Sequence, residues 1–206
     1  MFPLFFDLRG WLVVVIGGGA VGRRKAAALL DAGALVRLVC REPLPDDFDH
    51  ADLTWLMAPY VESHLEGAIF VFAAATPEVN QRVVADARDR GIFVNSATEP
   101  KSGDFILPAV VRRGDFVLAV STGGAAPDLA QTVRDRLAKQ FDDVFAAWVA
   151  LLAELRPIVL ARGAQPSERH AILERLCRWE WLERLRAEGL EAVRQAMRED
   201  AGLEDA

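Results

Sequence analysis

Hydrophobic residues in the first hundred positions fall into short runs separated by stretches with helical spacing. The runs are WLVVVI, ALVRLVC, LTWLMA, AIFVFAAA and IFVNSA, beginning at residues 11, 34, 53, 68 and 92. The first run is continuously apolar, which is typical of a strand buried on both faces of a parallel sheet; the others also predict strands, of which the run at 53 is the weakest. Between them, residues 20–32 and 77–91 have the period of amphipathic helices, with a glycine at the end of each. The alternation predicts the α/β class, with a Rossmann-type parallel sheet domain over residues 1–104.

The pattern changes after residue 100. Two apolar runs flank Gly114 and predict an antiparallel hairpin, followed by an amphipathic helix over 127–141. Residues 105–143 are therefore predicted to form a small hairpin and helix region. Residues 144–206 are predicted to form a helical C-terminal domain, with breaks near Pro157 and over 162–170. From Glu188 onward six acidic residues accompany two arginines, so we expect a solvated or frayed tail.

Composition and charge narrow the functional classes. The chain has 206 residues, 52% of them hydrophobic, and a net charge of −6. This charge argues against a general nucleic-acid or membrane partner, while leaving room for a local basic pocket. The N-terminus has no basic leader, and no uninterrupted apolar stretch reaches about 18 residues. We therefore expect a cytoplasmic protein that binds neither nucleic acid nor membrane.

Cysteine and histidine usage gives no sign of a metal centre. Cys40 and Cys177 are far apart, and we expect both to be buried thiols in a reducing compartment. His50, His64 and His170 are not at ligand spacing from one another or from either cysteine. The sequence therefore predicts no resident metal site.

A glycine-rich loop follows the first predicted strand and opens the first predicted helix. Gly17, Gly19 and Gly22 satisfy the G-x-G-x-x-G pattern, in the strand–turn–helix context that gives this pattern its meaning. Gly17 permits the tight turn, Gly19 lets the backbone approach a pyrophosphate, and Gly22 lets helix and strand pack closely. The pyrophosphate would meet free N–H groups at the positive end of the helix dipole. The predicted cofactor contacts here and after the fourth strand are Gly17, Gly18, Gly19, Ala20, Val21, Gly22, Ala75 and Thr76.

The end of the second predicted strand leaves the choice of dinucleotide open. NAD-binding proteins commonly hold the ribose hydroxyls with an acid at this point. Here the strand ends with Cys40, Arg41 and Glu42. Glu42 favours NAD, whereas Arg41 could favour the additional phosphate of NADP. We expect NAD, with NADP as the alternative.

Several segments together resemble the precorrin-2 dehydrogenase family, which includes bifunctional dehydrogenase/ferrochelatases and the N-terminal part of siroheme synthase. They are FPLFFDLRGWLVVVIGGGAVGRRKAAALLDAGALV, FAAATPEVNQRV, GIFVNSATEPKSGDFILPAVVRRGDF and LAVSTGGAAPDLAQTVRDRL, which cover roughly residues 2–140. The resemblance implies NAD-dependent oxidation of precorrin-2 to sirohydrochlorin, with iron insertion in some relatives. It also implies a homodimer in which the segment after the Rossmann domain, residues 105–143, exchanges strands between protomers.

A polycarboxylate tetrapyrrole such as precorrin-2 requires basic groups and N–H donors around a large cleft. Residues 101–140 contain six basic and four acidic side chains, a local excess in an otherwise acidic chain. The segment STGGAAP at 121–127 leads into a helix and could form a second anion-binding nest. The predicted substrate contacts are Lys101, Arg112, Ser121, Thr122, Gly123 and Gly124.

One position departs from the family pattern at the expected catalytic acid. Relatives usually carry an aspartate three residues after the asparagine that ends the fifth strand, and here that position is Thr98. A threonine hydroxyl cannot accept a proton near neutral pH as a carboxylate can. Glu99 could replace the aspartate, Asp104 could do so from the next turn of chain, or the proton could leave to water. The loss of the acid argues against iron insertion, which requires a base close to the macrocycle.

Two other functions compete with a dehydrogenase. The chain could be a non-catalytic module that binds dinucleotide or tetrapyrrole and delivers it to a partner enzyme, as the departure at Thr98 suggests. It could also be a dinucleotide-sensing regulatory domain, like those attached to ion channels. Such a domain would need neither the hairpin nor the STGGAAP segment.

Overall fold

The first half of the chain forms a five-stranded parallel sheet with the strand order β3-β2-β1-β4-β5. The computed structural model describes residues 1–43, 45, 48–162 and 165–203. The strands are β1 Leu12–Ile16, β2 Leu35–Cys40, β3 Leu53–Met57, β4 Phe70–Ala73 and β5 Phe93–Ser96. Helix α1, Ala20–Asp31, connects β1 to β2, and helix α2, Pro77–Asp89, connects β4 to β5; short 3₁₀ turns occupy Glu62–Leu65 and Pro100–Ser102. The predicted Rossmann-type sheet is confirmed.

The position of β1 at the centre of the sheet explains why its sequence is continuously apolar. Val13 and Val15 belong to the core that α1 covers, while Val14 and Ile16 belong to the core that α2 covers. All four side chains are buried, because successive residues of a strand point to opposite faces. The two helices therefore lie on opposite faces of the sheet, as in a doubly wound fold.

The chain divides into two compact units, Met1–Leu107 and Pro108–Ala206. The second unit begins with an antiparallel hairpin of β6 Ala109–Arg113 and β7 Phe116–Val120, with Gly114 at φ +56° in the turn. The helices that follow in the described part of this unit are α3 Pro127–Ala138, α4 Asp143–Ala161, α5 Pro166–Leu176, α6 Glu180–Glu188 and α7 Leu190–Asp200. The hairpin and the helical C-terminal region are confirmed. The finer division at residues 104 and 143 stays a prediction.

Helix α4 does not break near Pro157, so that expectation is wrong. The helix continues to Ala161. Leu155 and Val159, two positions before and after the proline, are fully buried. A proline inside a helix removes one backbone hydrogen bond. Here burial of the flanking side chains offsets that loss. By length and composition α4 could also cross a membrane.

The acidic tail is an ordered helix as far as the structure describes it. Val193 and Met197 of α7 are fully buried, and Leu203 is 7% exposed in the same core. The fraying half of the expectation is wrong here because the apolar residues share one face of the helix, whereas the acidic side chains of residues 188, 191, 199 and 200 are exposed, as expected of a solvated tail. Glu204 and Asp205 lie outside the described residues, as do residues 163 and 164 within the predicted break at 162–170.

The two cysteines differ in their surroundings. Cys40, at the end of β2, is buried as expected. Cys177 is exposed, so the expectation of a second buried thiol is wrong. It follows the C-terminus of α5, one residue after the buried Leu176.

Candidate functional site

The carboxyl ends of β1 and β4 lie side by side at the point where the order of the sheet reverses. From β1 the chain passes through α1 to β2 on one side, and from β4 it passes through α2 to β5 on the other. Ligands of open α/β sheets bind at such switch points. The glycine loop follows β1 directly, so its position in the fold is that of a dinucleotide-binding loop.

Gly17 and Gly22 are both required by the backbone. Gly17 has φ +116°, and a Cβ there would lie 2.3 Å from the carbonyl oxygen of Ala74. Its N–H donates to the carbonyl of Val39 at 2.8 Å. A Cβ on Gly22 would lie 1.8 Å from the carbonyl oxygen of Gly17. The roles predicted for these two glycines, a tight turn and close packing, agree with this geometry.

Gly19 is different, because nothing in its own surroundings requires glycine. Its φ of −68° and ψ of 175° are open to any residue, and a Cβ there would have no heavy atom within 4 Å. It is the N-cap of α1, and no side chain caps the helix. Within the described residues, the first N–H groups of α1 therefore have no side-chain acceptor, which is the arrangement that binds anions at helix starts.

Ala75 and Thr76 follow β4, beside the glycine loop. A Cβ on Gly17 would lie 2.9 Å from the backbone nitrogen of Ala75, so the two turns are in direct contact. The hydroxyl of Thr76 caps α2 by accepting a hydrogen bond from Val79 N–H at 3.5 Å. The structure thus brings the two predicted groups of cofactor residues together, while their roles stay predictions.

Arg23 is a cation beside the glycine loop that the sequence reasoning missed. Its Nη1 donates to the carbonyl oxygen of Gly18 at 2.7 Å. The side chain therefore turns back over the start of α1, whereas the neighbouring Arg24 is exposed. A guanidinium at this place adds positive charge where a diphosphate would bind.

Lys25 is a second residue that the sequence did not single out. Its Nζ donates to Oδ1 of Asn95 at 2.9 Å and lies 5.0 Å from the centre of the Phe72 ring. Burial, and secondarily the charge of Arg24, lowers the pKa of Lys25. Asn95 in turn donates from Nδ2 to the carbonyl of Phe105 at 2.9 Å. This network connects α1 to β5.

Arg41 and Glu42 are both exposed directly after β2, the strand next to β1. The thiol of Cys40 donates to the carbonyl of Glu42 at 3.1 Å. Either side chain is free to face a ribose, so the choice between them stays a prediction.

A cleft of about 310 Å³ lies at the carboxyl end of β5. It brings together two of the three predicted catalytic residues, Thr98 and Glu99. The hydroxyl of Thr98 accepts a hydrogen bond from Nδ2 of Asn80 at 3.1 Å, and Glu99 N–H donates to the hydroxyl of Ser96 at 3.2 Å. The residues that line the cleft are Pro77, Gln81, Ser96, Thr98, Glu99 and Ser102.

Asp104, the third predicted catalytic residue, binds the backbone of β5. Its Oδ2 accepts a hydrogen bond from Val94 N–H at 2.9 Å, and its own N–H donates to the Val94 carbonyl at 2.8 Å. These bonds hold it alongside the strand, and it is not among the residues that line the cleft. A catalytic role for Asp104 stays a prediction, and the geometry favours Glu99.

The predicted substrate residues are divided between the two units. Lys101 is exposed in the 3₁₀ turn of the first unit, and Arg112 is exposed on β6 of the second. In the loop before α3, Ser121 accepts from Gly123 N–H at 3.1 Å, and Thr122 accepts from Ala126 N–H at 3.0 Å. Gly123 and Gly124 have φ of +65° and +87°. Ala125 N–H also donates to the Thr122 carbonyl at 3.1 Å. Three N–H groups of the predicted nest thus already have acceptors within the loop, and the assignment of these residues to substrate stays a prediction.

Comparison with known proteins agrees with the fold. Residues 4–109, just over half of the chain, match the model of a protein family described as "Putative NAD(P)-binding". A solved structure named "SirC, precorrin-2 dehydrogenase" superposes with a TM-score of 0.80 at 23% identity, covering 97% of this chain and 100% of that chain. At this identity the likeness shows a shared fold.

Curated relatives are longer proteins. Siroheme synthase 1 of Aeromonas salmonicida is 38% identical over 178 residues, which are 84% of this chain and 38% of the relative. Siroheme synthase 2 of Aeromonas hydrophila is 41% identical over 155 residues, which are 74% of this chain and 32% of the relative. The chain therefore spans well under half the length of these relatives.

Proposed function

The chain belongs to the NAD(P)-binding family whose model it matches, and from that premise we propose that it is an NAD-dependent dehydrogenase that oxidises precorrin-2 to sirohydrochlorin. Its similarity to siroheme synthases and to a precorrin-2 dehydrogenase supports this substrate. The place of the reaction is siroheme or related tetrapyrrole synthesis, in the cytoplasm.

The observation that carries the proposal is the open space at Gly19. The helix start offers N–H groups without a side-chain cap, and a Cβ at residue 19 would meet no protein atom within 4 Å. Neither backbone conformation nor packing explains a glycine here, whereas close approach of a diphosphate does. The guanidinium of Arg23 beside the same loop supports this use.

We propose NAD as the preferred dinucleotide because Glu42 follows the strand next to β1 and can accept hydrogen bonds from both ribose hydroxyls. A carboxylate at this place would repel the additional phosphate of NADP. Arg41 is the residue that would favour NADP, so the affinities of both dinucleotides test the assignment. Tighter binding of NADP would contradict it.

Oxidation of the substrate removes a hydride and a proton. The dinucleotide, when bound, supplies the acceptor for the hydride. The N–H groups of Gly19, Ala20 and Val21 bind its diphosphate, with Arg23 beside them. Glu99 accepts the proton, since it is the carboxylate that lines the cleft at the end of β5. Thr98 has no carboxylate and accepts no proton in this scheme.

We propose that the chain is a homodimer formed through residues 105–143. In support, the hairpin is a two-stranded sheet, and within the described part of the chain the outer edges of β6 and β7 have no strand partner. Unpaired edges readily accept another strand. Sedimentation of the purified protein at twice the mass of the chain is the expected result, and a monomer at micromolar concentration would contradict it.

Supplying precorrin-2 and NAD to the purified protein tests the activity directly. A dehydrogenase produces sirohydrochlorin and NADH in equal amounts. Binding of both ligands without turnover would instead support the carrier function, which the threonine at position 98 favours. A Thr98→Asp variant tests the part of this position in iron insertion, because the new carboxylate is expected to add metal incorporation while dehydrogenation, with weaker ligand binding, remains.

A further inference from the structure

The side chain of Asn80 has a fixed orientation. It is 1% exposed, and its Oδ1 accepts a hydrogen bond from Ala75 N–H at 2.9 Å. A backbone N–H can only donate, so the oxygen of the amide must face Ala75. Nδ2 therefore lies on the other side, where it donates to the Ala75 carbonyl at 3.2 Å and to the Thr98 hydroxyl at 3.1 Å.

This orientation decides the direction of the hydrogen bond at Thr98. Both hydrogens of Nδ2 are directed at acceptors, so the Thr98 oxygen accepts and its own hydrogen points away from Asn80. Within the described residues, Asn80 is the one hydrogen-bond partner of this hydroxyl. Thr98 is exposed and lines the cleft, so its hydrogen is available to a bound molecule.

The other two hydroxyls of the cleft are placed differently. Ser102 donates its hydrogen to the Glu99 carbonyl at 2.8 Å. Ser96 accepts from Glu99 N–H and is 3% exposed, beneath the surface of the cleft. Thr98 is therefore the exposed hydroxyl of the cleft whose hydrogen has no acceptor in the described chain.

We infer that Thr98 donates a hydrogen bond to an acceptor oxygen of the bound ligands, and that Asn80 is the positioning residue that fixes this direction. The inference rests on the proposed function. An ionised carboxylate at position 98 could only accept, so the threonine changes the site from acceptor to donor. Two oxygens fit: a carboxylate of the tetrapyrrole, or the carboxamide oxygen of the nicotinamide. Because Asn80 also binds Ala75, it connects the cofactor turn to this donor.

The test compares Thr98→Val, which removes the hydroxyl at nearly constant shape, with Thr98→Ser, which keeps it. Thr54→Val is the matched control, since Thr54 is an exposed threonine on the edge strand β3. The measurements are the Kd of NAD by calorimetry and the KM and kcat for precorrin-2. Loss of one hydrogen bond of this kind corresponds to a rise of about tenfold in Kd or KM. A tenfold rise in Kd for Thr98→Val assigns the oxygen to the cofactor, and a rise in KM at unchanged Kd assigns it to the substrate.

Asn80→Asp tests the positioning role. A carboxylate at residue 80 accepts the Thr98 hydrogen and turns it away from the cleft, so this variant is expected to reproduce the defect of Thr98→Val. The double variant should be no worse than either single one. If Asn80→Asp fails to fold, the valine and serine variants still decide the inference.

Unchanged Kd and KM in Thr98→Val, or failure of Thr98→Ser to restore them, would overturn the inference while the dehydrogenase stands. A wild-type protein that neither binds NAD nor oxidises precorrin-2 would overturn the proposed function itself. The two failures are therefore distinguishable.

Discussion

Gly22 lies against the carbonyl oxygen of Gly17, so closely that a Cβ on residue 22 would be 1.8 Å from that oxygen. The contact joins the first turn of α1 to the end of β1. This contact sets the path of the glycine loop between β1 and α1, and thereby the direction of the N–H groups at the start of α1.

Gly22→Ala is therefore expected to displace the loop. The clash is with backbone and cannot be relieved by a rotamer change, so we expect a loss of about 3 kcal/mol or more in the free energy of unfolding. Urea unfolding measures it. Gly19→Ala is the matched control in the same loop, because its Cβ meets no atom within 4 Å. Equal stability of the two variants would contradict the packing described here.

Arg23→Gln is expected to weaken NAD binding by about fivefold, equivalent to about 1 kcal/mol. The guanidinium lies at the loop through its bond to Gly18, and its charge attracts a diphosphate. Titration calorimetry at low and high salt measures the effect, which should shrink as salt screens the charge. Arg24→Gln removes the same charge from the exposed neighbour and should leave the affinity nearly unchanged. Equal effects of both variants would show that only net charge matters.

Lys25 should give the stability of the protein a specific pH dependence. Burial lowers its pKa in the folded state below the ordinary 10.5. Between the folded pKa and 10.5 the unfolded chain binds more protons, so folding becomes more favourable as pH rises. The stability of the wild type relative to Lys25→Met should therefore increase with pH over this window. Urea unfolding of both proteins at matched pH values tests it, and a constant or falling difference would contradict it.

Met197→Ala tests the packing of the last described helix. Met197 is fully buried in the core of the second unit, and truncation of such a residue lowers the free energy of unfolding by about 2–5 kcal/mol. Gln195→Ala, on the exposed side of the same helix, should change it by less than about 0.5 kcal/mol. Thermal unfolding compares the two. A frayed tail would make both substitutions equally harmless.

The parallel sheet could be predicted because its strands are short apolar runs that alternate with helical spacing, and β1 shows the cause most clearly in residues 13–16, buried on both faces. The glycine loop could be predicted because its spacing is local. Fraying of the tail was mispredicted because charge was counted without regard to position, whereas Val193 and Met197 share one helical face. That spacing was present in the sequence.

Other features of the site were beyond the reach of a single sequence. Lys25 and Asn95 are 70 positions apart, and their contact depends on how α1 lies across the sheet. Asn80 and Thr98 meet because α2 returns along the sheet to place β5 beside β4. Pro157 predicts a break from its own chemistry, but the buried residues around it keep α4 continuous. In each case tertiary packing determines the contact or the helix, and the local sequence pattern does not contain that information.

Titration of NAD and NADP into the folded protein, with Gly19→Asp beside the wild type, tests the central claim most directly. For the wild type, the heat of titration should fit one dinucleotide site per chain, and the Kd for NAD should be lower than the Kd for NADP. Gly19→Asp should melt at the temperature of the wild type yet show no binding, because its carboxylate would occupy the diphosphate position. A folded wild type that binds neither dinucleotide, or a Gly19→Asp variant that binds NAD normally, would contradict the account.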